Sequence, residues 1–166
     1  MHHANTHAKV LALDLAQTTG WAVLANGVIT SGSQCFASKP RKGVTPHAGD
    51  NFHRFDNWLR ERLCDDKPEA VCFEEVFRWM SSSAAHSFCG FRAIMMIQCA
   101  RKGIPVHGYS PTTIKKHFCG SGNAKKDVMI ATACMRWPDL EITDDNQVDS
   151  LAILHLHLST LKTATP

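Results

Sequence analysis

The first part of the chain alternates short apolar runs with turn residues, which is the pattern of strands rather than helices. Residues 9–15 (KVLALDL) and 20–25 (GWAVLA) predict two strands with a tight connection between them. The pair Asn26-Gly27 favours a two-residue hairpin, after which VITSGSQCF predicts a third strand. The chain is therefore expected to begin with an antiparallel meander.

After a loop-like segment at 38–50, the apolar residues take up helical spacing. Phe52, Phe55, Leu59 and Leu63 fall on one face of a predicted helix. The run AVCFEEVF that follows predicts a buried strand ending in acids. Three serines then precede a long predicted helix over about 83–102, which Gly103 ends.

The last third of the chain is predicted to be mainly helical. PVHGYS predicts a fifth strand, and SPTTIKKHF predicts a short helix with Pro111 in its first turn. Beyond the turn CGSGNA, KKDVMIATACMRW predicts another helix, and Thr143 is expected to cap the final one. The order β-β-β-α-β-α-β-α-α-α predicts an α/β domain with a mixed five-stranded sheet flanked by helices.

Length and composition support one folded domain. With 166 residues, 44% of them hydrophobic and 20% charged, the chain can bury a full core and is neither disordered nor fibrous. We expect the domain to span 9–160, with flexible tails at 1–8 and 161–166. No apolar run could cross a bilayer, the N-terminus does not resemble a signal peptide, and none of the seven cysteines forms a CxxC pair, so we expect a cytoplasmic protein.

Charge is distributed unevenly along the chain. The 51-residue stretch 76–126 contains no Asp or Glu, whereas all 15 acids and ten of the 18 cations lie outside it. Its cations are Arg78, Arg92, Arg101, Lys102, Lys115, Lys116, Lys125 and Lys126. A block of one sign favours a polyanionic partner such as nucleic acid, although it could also be an ordinary solvated surface.

Carboxylates stand at the ends of predicted elements that could meet at one edge of the sheet. In chain order they are Asp14, Glu74, Glu75, Asp144, Asp145 and Asp149. Asp145 and Asp149 are four residues apart and share one helical face. Because like charges repel, such a cluster favours a bound cation, and oxygen ligands suit Mg²⁺ or Mn²⁺. Two ions about 3.5–4 Å apart are suited to phosphodiester hydrolysis.

Each acid also has an ordinary structural interpretation. Asp144 and Asp145 could simply favour the start of a helix, where the dipole attracts negative charge. Asp14 could close a turn, and only one of Glu74 and Glu75 can face a given side of the sheet. The metal hypothesis rests on the coincidence of these acids rather than on any one of them.

The motifs resemble those of the RuvC-type Holliday junction resolvases, which belong to the ribonuclease H-like (retroviral integrase) superfamily. The resemblance covers about 9–158 in order: LALDLAQTTGWAV, VCFEEVF, YSPTTIKKHFCGSGNAKKDVM and DDNQVDSLAILHLH. It implies a ribonuclease H-like fold and a magnesium-dependent endonuclease of DNA recombination and repair. The divergent spelling resembles a bacteriophage or mobile-element version.

The resemblance assigns roles by position. Asp14, Glu74 and Asp149 match the family's metal-binding acids, and the four-residue spacing places Asp145 as the fourth metal ligand. Many members instead have an acid three residues before the last aspartate, where this chain has Asn146. If Asn146 fills that position, a DNA-binding module with weakened catalysis is the alternative.

DNA contacts are also implied. Phe77 matches an aromatic residue that touches bases at the junction, and Trp79 is expected to be core. Lys115 and Lys126 match lysines near the scissile phosphate. Arg92, Arg101, Lys102, Lys115 and Lys116 are expected to line the DNA path.

The near two-fold symmetry of a four-way junction implies a homodimer that cuts opposing strands. Phe88, Phe91 and Met95 on the long helix either form its interface or pack on the sheet. Two rival functions are a broad flap and fork nuclease and, from the pattern DLAQTTG, one lobe of a sugar-kinase or actin-like phosphotransferase.

Overall fold

The computed structural model describes residues 8–38, 43, 47, 49–77 and 81–163, and its elements follow the predicted order. They are β1 (Val10–Asp14), β2 (Thr18–Ala25), β3 (Val28–Cys35), α1 (Asp50–Asp65), β4 (Ala70–Glu74), α2 (Ser82–Lys102), β5 (Val106–Tyr109), α3 (Pro111–Cys119), α4 (Lys126–Arg136) and α5 (Asp145–Thr163).

The five strands form one mixed sheet, as predicted, and their order in it is β3-β2-β1-β4-β5. β1, β2 and β3 make the antiparallel meander, while β4 pairs in parallel with both β1 and β5. Asn26 and Gly27 have φ values of 52° and 78° at the β2–β3 turn. Positive φ at both central residues is what a tight hairpin requires, which explains the strength of this signal.

Residue alternation along the strands separates two apolar cores. Leu11 and Leu13 of β1 face one side, which α1 and α2 cover, whereas Val10 and Ala12 face the other, which α5 covers. β1 is buried on both faces because it is a central strand between two helical layers. The alternation therefore also decides which face each polar residue at a strand end occupies.

The predicted helix boundaries of α2 and α3 are confirmed by their caps. Ser81 accepts a hydrogen bond from the amide of Ala84 at the start of α2, and Gly103, with φ 66°, ends it. Ser110 caps α3, whose first residue is Pro111. Serine oxygens satisfy otherwise unpaired amides at a helix start, and glycine tolerates the left-handed conformation at a helix end.

The predicted cap of α5 is wrong by one residue. The carboxylate of Asp144 accepts the amide N–H of Gln147 at 2.8 Å. The amide and hydroxyl of Thr143 instead donate to the side-chain oxygen of Gln147. Asp144 takes the capping position because its carboxylate lies three residues before that amide, and the negative charge also suits the helix dipole.

Of the two interpretations of Phe88, Phe91 and Met95, packing on the sheet is confirmed, because all three lie inside the chain. They are 6%, 1% and 0% exposed and join the core beneath α1 and α2. The Phe91 ring meets that of Phe55 edge-on, with centroids 5.0 Å apart. The same apolar stripe that predicts a buried helix face cannot also lie on the outside of the domain.

The ends of the chain differ slightly from the expected boundaries. α5 continues to Thr163, three residues beyond the predicted end of the domain, because neither Gly nor Pro interrupts the helix there. Residues 1–7 and 164–166, most of the predicted loop at 38–50, and Arg78 and Trp79 lie outside the described residues. Among the helices described, none is long and apolar enough to span a membrane.

Candidate functional site: a carboxylate cluster at one edge of the sheet

Asp14 and Glu74 are neighbours at the ends of two parallel strands. Leu13 of β1 is in register with Phe73 of β4, so the next residue of each strand is an acid. Adjacent strands lie about 4.8 Å apart. Ala12 and Cys72, two residues earlier, belong to the core under α5, and alternation therefore directs both carboxylates towards α5.

Glu75 faces the opposite side of the sheet. Its carboxylate accepts a hydrogen bond from the Arg92 guanidinium of α2 at 2.9 Å. The two adjacent glutamates therefore lie on opposite faces of the sheet. Glu75 pairs with α2 on one face, and Glu74 lies at the strand end on the other.

α5 brings the remaining acids to the same place. Its first turn lies directly against β2, where a Cβ on Gly20 would be 1.8 Å from the carbonyl oxygen of Asn146. Gly20 is paired with Asp14 in the sheet. Asp145 and Asp149, one helical turn apart, are therefore carried to the neighbourhood of Asp14.

The carboxylates influence one another electrostatically, which shows that they converge. Burial, with the negative charges of Asp149, Glu74 and Asp145, raises the pKa of Asp14 to about 8. Burial and the charge of Asp149 raise the pKa of Glu74 to about 7. Burial, reinforced by Asp145, raises the pKa of Asp149 to about 6. A charged carboxylate is unfavourable when it loses water and gains like-charged neighbours.

Two of the predicted lysines lie at this cluster. Lys126 at the start of α4 donates a hydrogen bond to Asp145, and this bond holds the pKa of that carboxyl below its usual range. The positive charge of Lys115 on α3 acts in the opposite direction to burial on the pKa values of Glu74 and Asp149. These cations offset only part of the negative charge.

The donor set fits a hard divalent cation. Asp14, Glu74 and Asp149 are half-buried, and no hydrogen bond within the described residues lowers the pKa of any of them. Oxygen-only ligands favour Mg²⁺ or Mn²⁺. In the described part of the chain, no group of three or more His, Cys, Asp or Glu side chains is close enough together to hold a metal ion as it stands. An ion would therefore have to draw these carboxylates inwards, and Asp145 would have to exchange its bond to Lys126.

An exposed aromatic ring stands beside the cluster. Phe77, three residues after Glu74, is 76% exposed. With Val76 and the start of α3 at Ser110, Pro111 and Thr112 it lines a cavity of about 280 Å³.

The basic stretch does not act as one surface. α2 has 21 residues, about 30 Å, and carries Arg101 and Lys102 to the opposite edge of the sheet. There the Lys102 amine lies 3.4 Å from the sulfur of Cys64 at the end of α1. Arg92 is paired with Glu75. Arg101 and Lys102 therefore lie away from the carboxylates, whereas Lys115, Lys116 and Lys126 lie on helices at or next to the site. That all five predicted cations line a DNA path stays a prediction.

Some residues that shape the site have only weak sequence signals. Ser33 of β3 donates a hydrogen bond to Asp144, and Gln147 donates to Ser31 at 3.0 Å. Gly20 is a lone glycine within a predicted apolar strand, which is a known sign of close backbone approach. This signal could have identified Gly20, whereas the serines resemble any polar residues of an edge strand.

Known proteins share this architecture. The family model described as crossover junction endodeoxyribonuclease RuvC matches residues 10–157. The RuvC of Nitratidesulfovibrio vulgaris (strain Hildenborough) is 28% identical over 148 residues, 86% of each chain. That of Sphingopyxis alaskensis is 26% identical over 159 residues, 89% of this chain and 95% of the relative.

Solved structures agree on the fold. T. thermophilus RuvC in complex with a Holliday junction substrate superposes with a TM-score of 0.80 at 22% identity, covering 96% of this chain and 98% of that one. The yeast mitochondrial Holliday junction resolvase Ydc2 gives a TM-score of 0.62 at 12% identity, covering 95% and 81%. The predicted ribonuclease H-like fold is confirmed.

Asp14→Asn is expected to raise the thermal stability of the protein in the presence of a chelator. The pKa of Asp14 is about 8 in the folded chain and far lower in the unfolded chain, so at pH 7 folding requires this carboxyl to take up a proton, which destabilises the fold; the amide of asparagine avoids that cost. We expect the melting temperature to rise by about 5 °C, since 1 kcal/mol moves it by about 2–4 °C in a domain of this size. Added Mn²⁺ should stabilise the wild type more than the variant.

The control is Asp144→Asn, which keeps a capping side chain and should change the melting temperature little. A clear loss of stability in Asp14→Asn would contradict the electrostatic account of the cluster.

Proposed function

This chain belongs to the RuvC family of crossover junction endodeoxyribonucleases, and we propose that it cuts Holliday junctions and related branched DNA at the carboxylate cluster. The observation that supports this site is the convergence of Asp14, Glu74 and Asp149, from three distant segments, on one edge of the sheet. Each of these acids matches a family position, and lysines stand on the neighbouring helices.

Asp14, Glu74, Asp145 and Asp149 would together hold Mg²⁺, for which Mn²⁺ can substitute. Bound there, two such ions would activate a water for in-line attack on the phosphodiester and stabilise the leaving 3′ oxygen. The carboxylates come from two adjacent strands and one helix, so their backbone positions are fixed by the core. Their mutual repulsion gives the site its affinity for cations.

Lysines and Phe77 would hold the DNA. The Lys115 ammonium already lies close enough to affect Glu74 and Asp149, and it would offset charge developing on the scissile phosphate. Lys126 would give up its hydrogen bond to Asp145 and bind the scissile phosphate instead. Lys116, which is exposed, would contact the DNA backbone. The exposed ring of Phe77 would stack on an unpaired base at the junction centre.

Glu74→Gln is expected to abolish Mg²⁺-dependent cutting of a labelled four-way junction, by more than about 100-fold, while junction binding persists. The amide is a poorer metal ligand, but the basic surface is unchanged. Rates on junction, flap, fork and duplex substrates would be compared, and the four-way junction should be cut fastest.

Glu75→Gln is the matched control because it makes the same chemical change on the opposite face of the sheet. It should lose the contact to Arg92 and keep cutting. Full activity in Glu74→Gln would remove Glu74 from the site, and equal rates on flaps and junctions would favour the broad branched-DNA nuclease.

We propose Asp145 rather than Asn146 as the fourth ligand. The charge of Asp145 helps to raise the pKa values of both Asp14 and Asp149, which supports this choice. We expect Asp145→Asn to weaken Mn²⁺ binding and cutting, and Asn146→Ala to have a smaller effect on both, as measured by calorimetry and single-turnover cleavage. The reverse ranking would transfer the role to Asn146.

A homodimer would place two such sites on either side of a two-fold axis, which matches the near two-fold symmetry of a junction. With Phe88, Phe91 and Met95 buried, the apolar residues left on the outside of α2 are Met96 and Ile97, which are 40% and 51% exposed. We expect a dimer in sedimentation experiments and a monomer for Ile97→Glu. A wild-type chain that stays monomeric at high concentration and on junction DNA would rule this out.

A further inference from the structure

The sheet side of the carboxylate cluster contains a position where no side chain fits. Gly20 is paired with Asp14 on β1 and with Ser33 on β3, so these three residues form one cross-strand row beneath the start of α5. A Cβ on Gly20 would lie 1.8 Å from the carbonyl oxygen of Asn146 and 2.4 Å from its carbon. Both atoms are backbone and cannot rotate aside. Space, and not a left-handed φ, is what requires glycine here.

Hydrogen bonds fasten the same turn of α5 to the edge strand. Ser33 donates to Asp144, the residue that caps α5. Gln147, only 2% exposed, donates to the hydroxyl of Ser31 and to the carbonyl of Glu141, at 3.0 Å each. A buried amide with all its partners supplied holds one geometry, because any shift leaves a polar group unpaired.

We infer that Gly20, Ser31 and Ser33 form a helix seat, a positioning device that fixes the first turn of α5 against the sheet. The seat sets the distance between Asp14 on the sheet and Asp145 and Asp149 on the helix. It therefore tunes the affinity of the cluster for divalent cations without contributing a ligand. This inference rests on the proposed metal-dependent function and adds the residues that set its geometry.

The helix seat sets the position of the first turn of α5, whereas other contacts keep the helix packed against the sheet. Further along the helix, Leu151, Ala152 and Leu154 are fully buried against the sheet and hold α5 in place. A methyl group on Gly20 must increase the distance to Asn146 from 1.8 Å to at least 3.0 Å. Only the first turn, which carries Asp145 and Asp149, needs to move for this. A displacement of about 1 Å is enough to damage a catalytic arrangement.

The test is Mn²⁺ binding to the full chain, measured by titration calorimetry on the wild type, Gly20→Ala and Gln147→Met. We expect Gly20→Ala to bind Mn²⁺ about 10- to 100-fold more weakly, the usual effect of losing a group that orients metal ligands. Gln147→Met keeps the volume and removes the hydrogen bonds, so it should shift affinity in the same direction. Excess Mn²⁺ should restore part of the lost junction cutting.

Leu63→Ala is the matched control for general destabilisation. Leu63 lies on the buried face of α1, on the other side of the sheet, so its truncation should lower the melting temperature and leave Mn²⁺ affinity unchanged. If Gly20→Ala does not fold, a Ser31→Ala and Ser33→Ala double variant carries the same expectation.

Wild-type Mn²⁺ affinity in Gly20→Ala, or in the double variant, would overturn the helix seat while leaving the proposed nuclease intact. An equal loss of affinity in Leu63→Ala would also overturn it, since the effect would then follow stability alone. A wild-type protein that neither binds Mn²⁺ nor cuts branched DNA would refute the proposed function itself.

Discussion

Repulsion between carboxylates at one edge of the sheet is the constraint on which the rest of the site depends. The raised pKa values of Asp14, Glu74 and Asp149 express first the cost of burying these carboxylates and then that of holding like charges together. The cost is met by two cores, one on each side of the sheet, that fix β1, β4 and α5. The fold thus holds a cluster of carboxylates that attracts cations at one edge of the sheet.

The alternation of side chains along the strands decides which acidic residues join the cluster. Two glutamates follow one another at the end of β4, yet one joins the cluster and the other pairs with Arg92 behind the sheet. The central strands are buried on both faces, so the alternation fixes the face of the sheet on which each glutamate side chain lies. The register of β1, β2 and β3 aligns Asp14, Gly20 and Ser33 in one row beneath the start of α5.

The fold brings fewer cations to the carboxylates than the basic stretch 76–126 of the sequence suggests. Lys115 and Lys126 come to the carboxylates because α3 and α4 begin on that side, while the length of α2 removes Arg101 and Lys102 to the far edge. A short basic surface next to an acidic centre suits a polyanion whose phosphate must reach bound cations. This is consistent with membership of the RuvC family and with the likeness of its fold to a resolvase solved with its junction.

The sequence was enough to predict the order of elements, the hairpin at Asn26-Gly27 and the helix ends at Ser81, Gly103 and Pro111, because each depends on local chemistry. Three of the site acids could also be predicted, because each belongs to a motif. Tertiary structure alone decided that Phe88, Phe91 and Met95 are core, that Asp144 caps α5 in place of Thr143, and that Gln147 joins the helix to β3. It also brought the backbone of Asn146 so close to Gly20 that no side chain fits there. Those outcomes depend on which segments meet in space, and residues more than a hundred positions apart, such as Ser33 and Asp144, carry no local signal of their contact.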